Sequence, residues 1–113
     1  MNRRGAEAEA LAGAFLEDHG LEIIARNYRC RLGEIDLVAR DGATTVFVEV
    51  RSRTSAAFGG AAASITASKR ARLLKAARHY LSGVRVTPQC RFDALLIDGD
   101  PPHIEWLRNA FGE

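Results

Sequence analysis

Apolar positions along the chain change period several times, and the changes divide it into elements. Ala8, Leu11, Ala12 and Phe15 recur at i, i+3, i+4 and i+7, the spacing that gathers side chains on one helix face, and Gly20 stands where such a helix stops. An amphipathic helix is predicted over residues 4–19. Ile23, Ile24 and Tyr28 mark a strand over 21–30, closed by the turn Arg31-Leu32-Gly33. Two β-rich runs follow, 34–39 and 44–50, on either side of Arg40-Asp41-Gly42-Ala43. Asp-Gly between such runs predicts a hairpin, because a type I′ turn needs positive φ at both central residues. Residues 54–64 are small and include Gly59 and Gly60, so a loop able to lie close to a ligand is expected there. Helical spacing returns at Leu73, Leu74, Ala77, Tyr80 and Leu81 and predicts a helix over 66–82, ended by Gly83. Strands at 91–98 and 104–107 flank Gly99-Asp100-Pro101-Pro102, a turn by composition. The order αβββαββ predicts an α/β fold with a central mixed sheet flanked by helices.

A two-residue loop of Asp41 and Gly42 makes the numbers of opposed hairpin residues sum to 83. Asp36 is then expected opposite Phe47, and Glu34 opposite Glu49. Strand alternation puts Glu34, Asp36, Phe47, Glu49 and Arg51 on one face, while Ile35, Leu37, Ala39, Val46, Val48 and Val50 fill the other. Like charges directly opposed, with Cβ atoms about 4.5–5.5 Å apart, destabilise a sheet. A divalent cation offsets that repulsion. Hard metals take carboxylate oxygens, keep several waters and accept phosphate oxygens in the remaining positions. Asp36 and Glu49 are the candidate ligands, with the Val50 carbonyl near the same ion. The alternative is a set of acids on the solvated face of an exposed hairpin. A hairpin that lies mid-chain between two helices favours a central place in the sheet, and Arg51 and Arg53 follow Glu49 at alternate positions. Acids and arginines on one face suit a metal-bound anion.

At 113 residues and 47% hydrophobic composition, the chain is expected to form a single domain, residues 1–113, around one core. No run approaches the roughly 20 apolar residues of a membrane span. Met1-Asn2-Arg3-Arg4 leads into an acidic, alanine-rich segment rather than an apolar signal core, so a cytoplasmic protein with no membrane partner is expected. Cys30 and Cys90 lack a second Cys or His at zinc-ligand spacing, and both are expected to be reduced. A net charge of +2 and a pI near 8.8 are too mild to imply nucleic acid; the distribution of charge says more. Lys69, Arg70, Arg72, Lys75 and Arg78 give the second helix five cations and no acid, with His79 adjacent. Such a surface attracts phosphates in a salt-dependent way, and the helix start near Thr66 and Ser68 adds N–H donors. A helix kept soluble by its basic face is the alternative.

The run Gly33-Glu34-Ile35-Asp36-Leu37-Val38-Ala39, followed by Val46-Phe47-Val48-Glu49-Val50-Arg51-Ser52-Arg53, resembles the bacterial YraN family, a group related to the PD-(D/E)XK nuclease superfamily. Residues 5–12 with Glu9, Arg26-Asn27-Tyr28-Arg29, Phe58-Gly59, Lys69 and Arg91-Phe92-Asp93 extend the resemblance over nearly the whole chain. The resemblance implies a restriction endonuclease-like three-layer fold, similar also to archaeal Holliday junction resolvases and the tRNA-splicing endonuclease domain. By that likeness Asp36 is the first acid of the motif, Glu49 is the second and Arg51 stands at the lysine position. Glu9 matches a helix-one acid that approaches the metal, and Glu34 is either a ligand or an acid bordering the site. The expected catalytic set is Asp36, Glu49, Arg51 and Glu9, with Asp36, Glu49 and Glu34 as ligands of Mg2+ or Mn2+. Arg53, Lys69, Arg70 and Arg72 are the expected nucleic-acid contacts. Arginine stays protonated where lysine can lose its proton, so Arg51 is no general base. Its expected part is to stabilise charge developing on phosphorus or to orient a water, which leaves the nucleophile to a water acidified by the cation.

Metal-dependent hydrolysis of nucleic-acid phosphodiesters is therefore the leading expectation, with DNA as partner and branched DNA, as for a Holliday junction resolvase, among the substrates. A nucleic-acid-binding module that keeps the nuclease fold with weak or absent catalysis is the alternative. A protein-interaction role through strand edges or residues 106–111 is a third reading, and a homodimer accords with the resolvase likeness. Arg91 and Asp93 are expected to form a structural pair, and Trp106 and Phe111 to be core or interface residues. His19, His79 and His103 are scattered and are not expected as ligands.

Overall fold

A computed structural model describes residues 3–53, 66–99 and 101–111, and its elements follow the predicted order: α1 (Arg3–Asp18), β1 (Glu22–Cys30), β2 (Gly33–Asp41), β3 (Thr44–Arg53), α2 (Ala67–Leu81), β4 (Gln89–Asp98) and β5 (His103–Phe111). The loop expected at 54–64 lies outside the described residues. The strands form one five-stranded sheet in chain order, β1-β2-β3-β4-β5. Tight turns give antiparallel neighbours, as in the pairs β1/β2, β2/β3 and β4/β5. β3 and β4 run parallel, which requires a long crossover, and α2 lies on that connection.

The two helices cover opposite faces of the sheet. Ala8, Ala12 and Leu16 of α1 pack on Leu37, Ala39, Val46, Val48 and Val50 of the hairpin and on Leu95 and Ile97 of β4. Leu73, Ala76 and Ala77 of α2 pack on Ile35, Val38, Phe47 and Phe92 from the other side. Helix, sheet and helix make the three layers that the resemblance implies. The simple division into one apolar and one acidic face does not hold, because residues 45–50 of β3 are all buried. A central strand between two helices is covered on both faces, so Phe47 belongs to the core although it shares a side with Glu49. Glu49, the buried acid of β3, lies toward the end of the hairpin far from its turn.

On the α1 side, Asp93 has 0% of its surface exposed and is fully engaged. It accepts hydrogen bonds from Arg91 Nε at 3.1 Å, Trp106 Nε1 at 2.9 Å and the Asn109 backbone N–H at 2.9 Å. Arg91 Nη1 also donates to Asp41 Oδ2 at 2.9 Å. The Arg91–Asp93 pair is thus structural, as expected, and ties β4 to β5 and to the hairpin turn. Trp106 packs edge-on against Phe15 of α1, ring centroids 6.0 Å apart. Both cysteines are free thiols. Among the described residues, no helix is long and apolar enough to cross a membrane.

Candidate active site

The position of the acids is set by the hairpin turn. Asp41 pairs with Thr44 and Leu37 with Val48, so paired residues sum to 85 rather than 83 and the loop is Gly42-Ala43. Gly42 has φ 61°, and glycine at the first loop position is the requirement of a type II′ turn. The expected type I′ turn at Asp41-Gly42 is therefore displaced by one residue. Faces are unchanged by a shift of two in the sum, but partners slide. The ladder of β2 with β3 ends at Leu37–Val48, and Phe47 pairs with Val38 rather than with Asp36; Asp36 and Glu49 each lie one residue beyond the last pair, close enough for the charge of Asp36 to act on Glu49. Glu34 instead pairs with Arg29 of β1, and Arg29 Nε approaches Glu34 Oε2 at 3.3 Å.

Asp36 sits where the regular ladder gives way. Ile35 packs on the α2 side and Leu37 on the α1 side, although residues two apart in a regular strand share a face. The neighbouring strand departs at the same level: Asn27, which the β1/β2 register places opposite Asp36, has φ 51°. Asparagine tolerates this left-handed conformation better than most residues. At this point the Asp36 side chain takes over the role of a strand carbonyl, accepting the Val50 N–H at Oδ2, 2.8 Å away. The bond fixes the carboxylate beside Glu49.

Both acids resist ionisation. Burial raises the Asp36 carboxyl to about 6 against the downward pull of the Val50 N–H, and the charges of Glu9 and Glu34 raise it further while Arg51 lowers it. Burial raises Glu49 to about 7, Asp36 adds to the rise, and Arg51 and Lys69 oppose it. Glu9 of α1, half-buried, therefore belongs to the same electrostatic cluster as Asp36. Arg51 Nη2 lies 2.7 Å from Glu49 Oε1, and its buried Nε has no hydrogen-bond partner among the described residues.

Glu34, Glu49, Arg51, Lys69 and Arg72 line one open cleft of about 210 Å³. α2 supplies the two outer cations because Thr66 Oγ1 caps the helix by accepting the Lys69 N–H, which fixes the first turn, and Lys69 and Arg72 are three apart on one face. Arg70 is exposed and is not among the residues lining the cleft. Arg53 closes β3, and its side chain lies outside the described residues. The sequence marks Gly33 only as the end of a turn and the start of the motif run, whereas the structure gives it a packing role: a Cβ there would lie 2.4 Å from the Arg72 carbonyl oxygen. Its missing side chain is what allows α2 to come so close to the start of β2. The signal was a glycine ending a turn directly before the acid-bearing strand.

Carboxylate oxygens are the donors that a hard divalent ion takes. Among the described residues no three His, Cys, Asp or Glu side chains are grouped to hold one ion, so the expected ligand set of Asp36, Glu49 and Glu34 is not brought together; Glu34 is engaged with Arg29, and Asp36 and Glu49 remain as neighbouring carboxylates. Magnesium commonly uses one or two carboxylates, with waters and substrate phosphate filling the other positions. Two buried carboxylates that repel each other, with pKa values held up by burial, gain stability from a positive ion between them. The histidines stand elsewhere: His19 Nδ1 bonds the Phe15 carbonyl and His79 Nδ1 meets the Tyr28 hydroxyl.

Residues 8–97 match the family described as Uncharacterised protein family UPF0102. A UPF0102 protein of Nitrosomonas europaea is 57% identical over 111 residues, spanning 97% of this chain and 94% of its own. One from Nitrosospira multiformis is 57% identical over 112 residues, spanning 98% of this chain and 94% of its own. One from Methylobacillus flagellatus is 56% identical over 112 residues, spanning 98% of both chains.

Proposed function

The chain belongs to the uncharacterised protein family UPF0102, the YraN family, and on the chemistry of its acidic cleft we propose that it is a metal-dependent nuclease acting on nucleic-acid phosphodiesters, with branched DNA as the first substrate class to test. One observation supports the reading: Asp36, half-buried, acts electrostatically on the buried Glu49, both with raised pKa values, and Glu49 lines a cleft with Glu34, Arg51, Lys69 and Arg72. A fold gains nothing from holding two desolvated acids side by side. A site for a cation and a phosphate does.

A bound magnesium or manganese ion supplies charge neutralisation and an acidified water. The residues of the chain do the rest. Asp36, oriented by the Val50 N–H, and Glu49 hold the ion, with Glu9 and Glu34 adding negative potential around Asp36. Lys69 and Arg72 hold phosphate oxygens along the cleft wall. Arg51 pairs with Glu49 and faces the phosphoryl charge as that charge grows.

Calorimetric titration of magnesium and manganese into the protein and into an Asp36→Ala, Glu49→Ala variant tests the assignment, followed by incubation of both with branched, nicked and single-stranded substrates. Metal binding and cleavage in the parent, both lost in the variant, are expected. Cleavage by the variant at the parent's rate rejects it. The ion pair that engages Arg51 with Glu49 favours a second reading, a nucleic-acid-binding module without useful catalysis. Metal-independent binding with no cleavage on any of these substrates is its signature.

A further inference from the structure

Beside the acid cleft lies a second one, of about 210 Å³, lined by Arg29, Arg31 and Arg72 together with Glu34, Cys30 and Gly33. It opens at the β1–β2 turn, and it shares Glu34 and Arg72 with the first. Three guanidinium groups border it and one carboxylate answers them. That carboxylate is itself divided, since Glu34 is paired with Arg29 across the strands and also lines the acid cleft. Arginine binds phosphate oxygens in a planar, two-pronged geometry, so a hollow bordered by three of them suits an anion.

The join between the clefts is built rather than incidental. Arg72 reaches both because α2 lies against the β1–β2 turn, and it lies there because Gly33 presents no Cβ to the Arg72 carbonyl oxygen. The second cleft therefore has a fixed relation to Asp36 and Glu49. Lys69, Arg72, Arg31 and Arg29 form one cationic track leading away from the acids, over α2 and onto the turn.

We propose that the β1–β2 turn is a second phosphate subsite, in which Arg29 and Arg31, with Arg72 shared between the clefts, hold the backbone of a polynucleotide on one side of the phosphodiester at Glu49 and Arg51. The inference rests on the nuclease reading and deepens it: the substrate is a strand long enough to cover both clefts, not a mononucleotide or dinucleotide. Each phosphate neutralised releases condensed counterions, so each contact adds to the salt dependence of binding.

The test is fluorescence anisotropy with a labelled 16-nucleotide single strand and the corresponding duplex at several salt concentrations, using the parent, Arg31→Ala and the Arg29→Ala, Arg31→Ala double variant. Melting curves verify folding, which is expected to survive because both side chains lie on the surface. The double variant is expected to bind at least tenfold more weakly near 0.1 M salt, and the slope of log K against log salt is expected to fall by about 1.4 on the single strand or about 1.8 on the duplex. Arg31→Ala alone is expected to lose about half of that slope, a control that leaves the Arg29–Glu34 pair in place. Magnesium binding by calorimetry is expected to persist in both variants. A parent that binds the strand with the same affinity and slope as the double variant overturns the subsite while leaving the nuclease reading standing. A parent that binds metal but no polynucleotide of either form overturns both.

Discussion

Burial raises the Glu49 carboxyl to about 7, with Asp36 raising it further and Arg51 opposing, so at neutral pH the folded protein holds an acid that the unfolded chain would ionise freely. The sign follows from proton linkage: a folded-state pKa above the unfolded value means that the native state binds more protons, and stability falls as pH rises from the unfolded pKa to the folded one. For Asp36 and Glu49 that window runs from near 4 to about 7. Glu49→Gln removes the charge and keeps the shape. In metal-free buffer it is expected to be more stable than the parent by about 2 kcal/mol at pH 8, with the advantage fading as pH falls through 7 towards 5. Urea midpoints at three pH values measure this. An equal difference at every pH would show that the acid pair costs the fold nothing. Stability gained at the expense of metal binding is the usual mark of a functional group.

At the level of elements, α2 reaches the site through one glycine. With a Cβ at Gly33 only 2.4 Å from the Arg72 carbonyl oxygen, Gly33→Ala meets backbone rather than a flexible side chain, and α2 or the start of β2 must shift. The expected cost is about 1–3 kcal/mol, the range for overpacking a close contact, read from the urea midpoint. Nucleic-acid affinity is expected to drop as well, because Lys69 and Arg72 move with the helix; unchanged stability and affinity together would show that the contact relaxes at no cost. The hairpin carries a similar lesson. Its existence was legible in the alternating runs on either side of Asp41-Gly42, whereas its register was not, because Gly42 serves a type I′ turn as a second residue and a type II′ turn as a first. Only the pairing of Asp41 with Thr44 selects between them.

Across the whole molecule, a metal that binds the native acids and not the unfolded chain stabilises the fold by mass action. With magnesium at about ten times its Kd the gain is about 1.4 kcal/mol, several degrees in Tm for a chain of this size. The shift is expected at pH 8 and is expected to shrink near pH 5, where protons occupy Asp36 and Glu49. It is expected to vanish in the Asp36→Ala, Glu49→Ala variant. A scanning calorimeter settles the matter, and a shift that survives in the double variant moves the ion to another site.

The sequence by itself determined the order of elements and many core positions, because helix and strand periods are local properties written in residues such as Leu73 and Ala77 or Val46 and Val48; it did not place Phe47 in the core or Ile35 on the α2 side. It also marked Asp36 and Glu49 as the candidate acids, through the motif that contains them, and gave α2 its cationic character. The tertiary structure alone decided which groups meet. Burial of β3 on both faces depends on two helices far apart in the chain, and it is this burial that raises the carboxyl pKa values. The break in alternation at Asp36, the Val50 N–H that holds it, and the choice of Lys69 and Arg72 over Arg70 as cleft residues depend on packing between elements. Periodicity assigns a side chain to a face, but the distance between faces, and hence the electrostatics, exists only once the layers have closed.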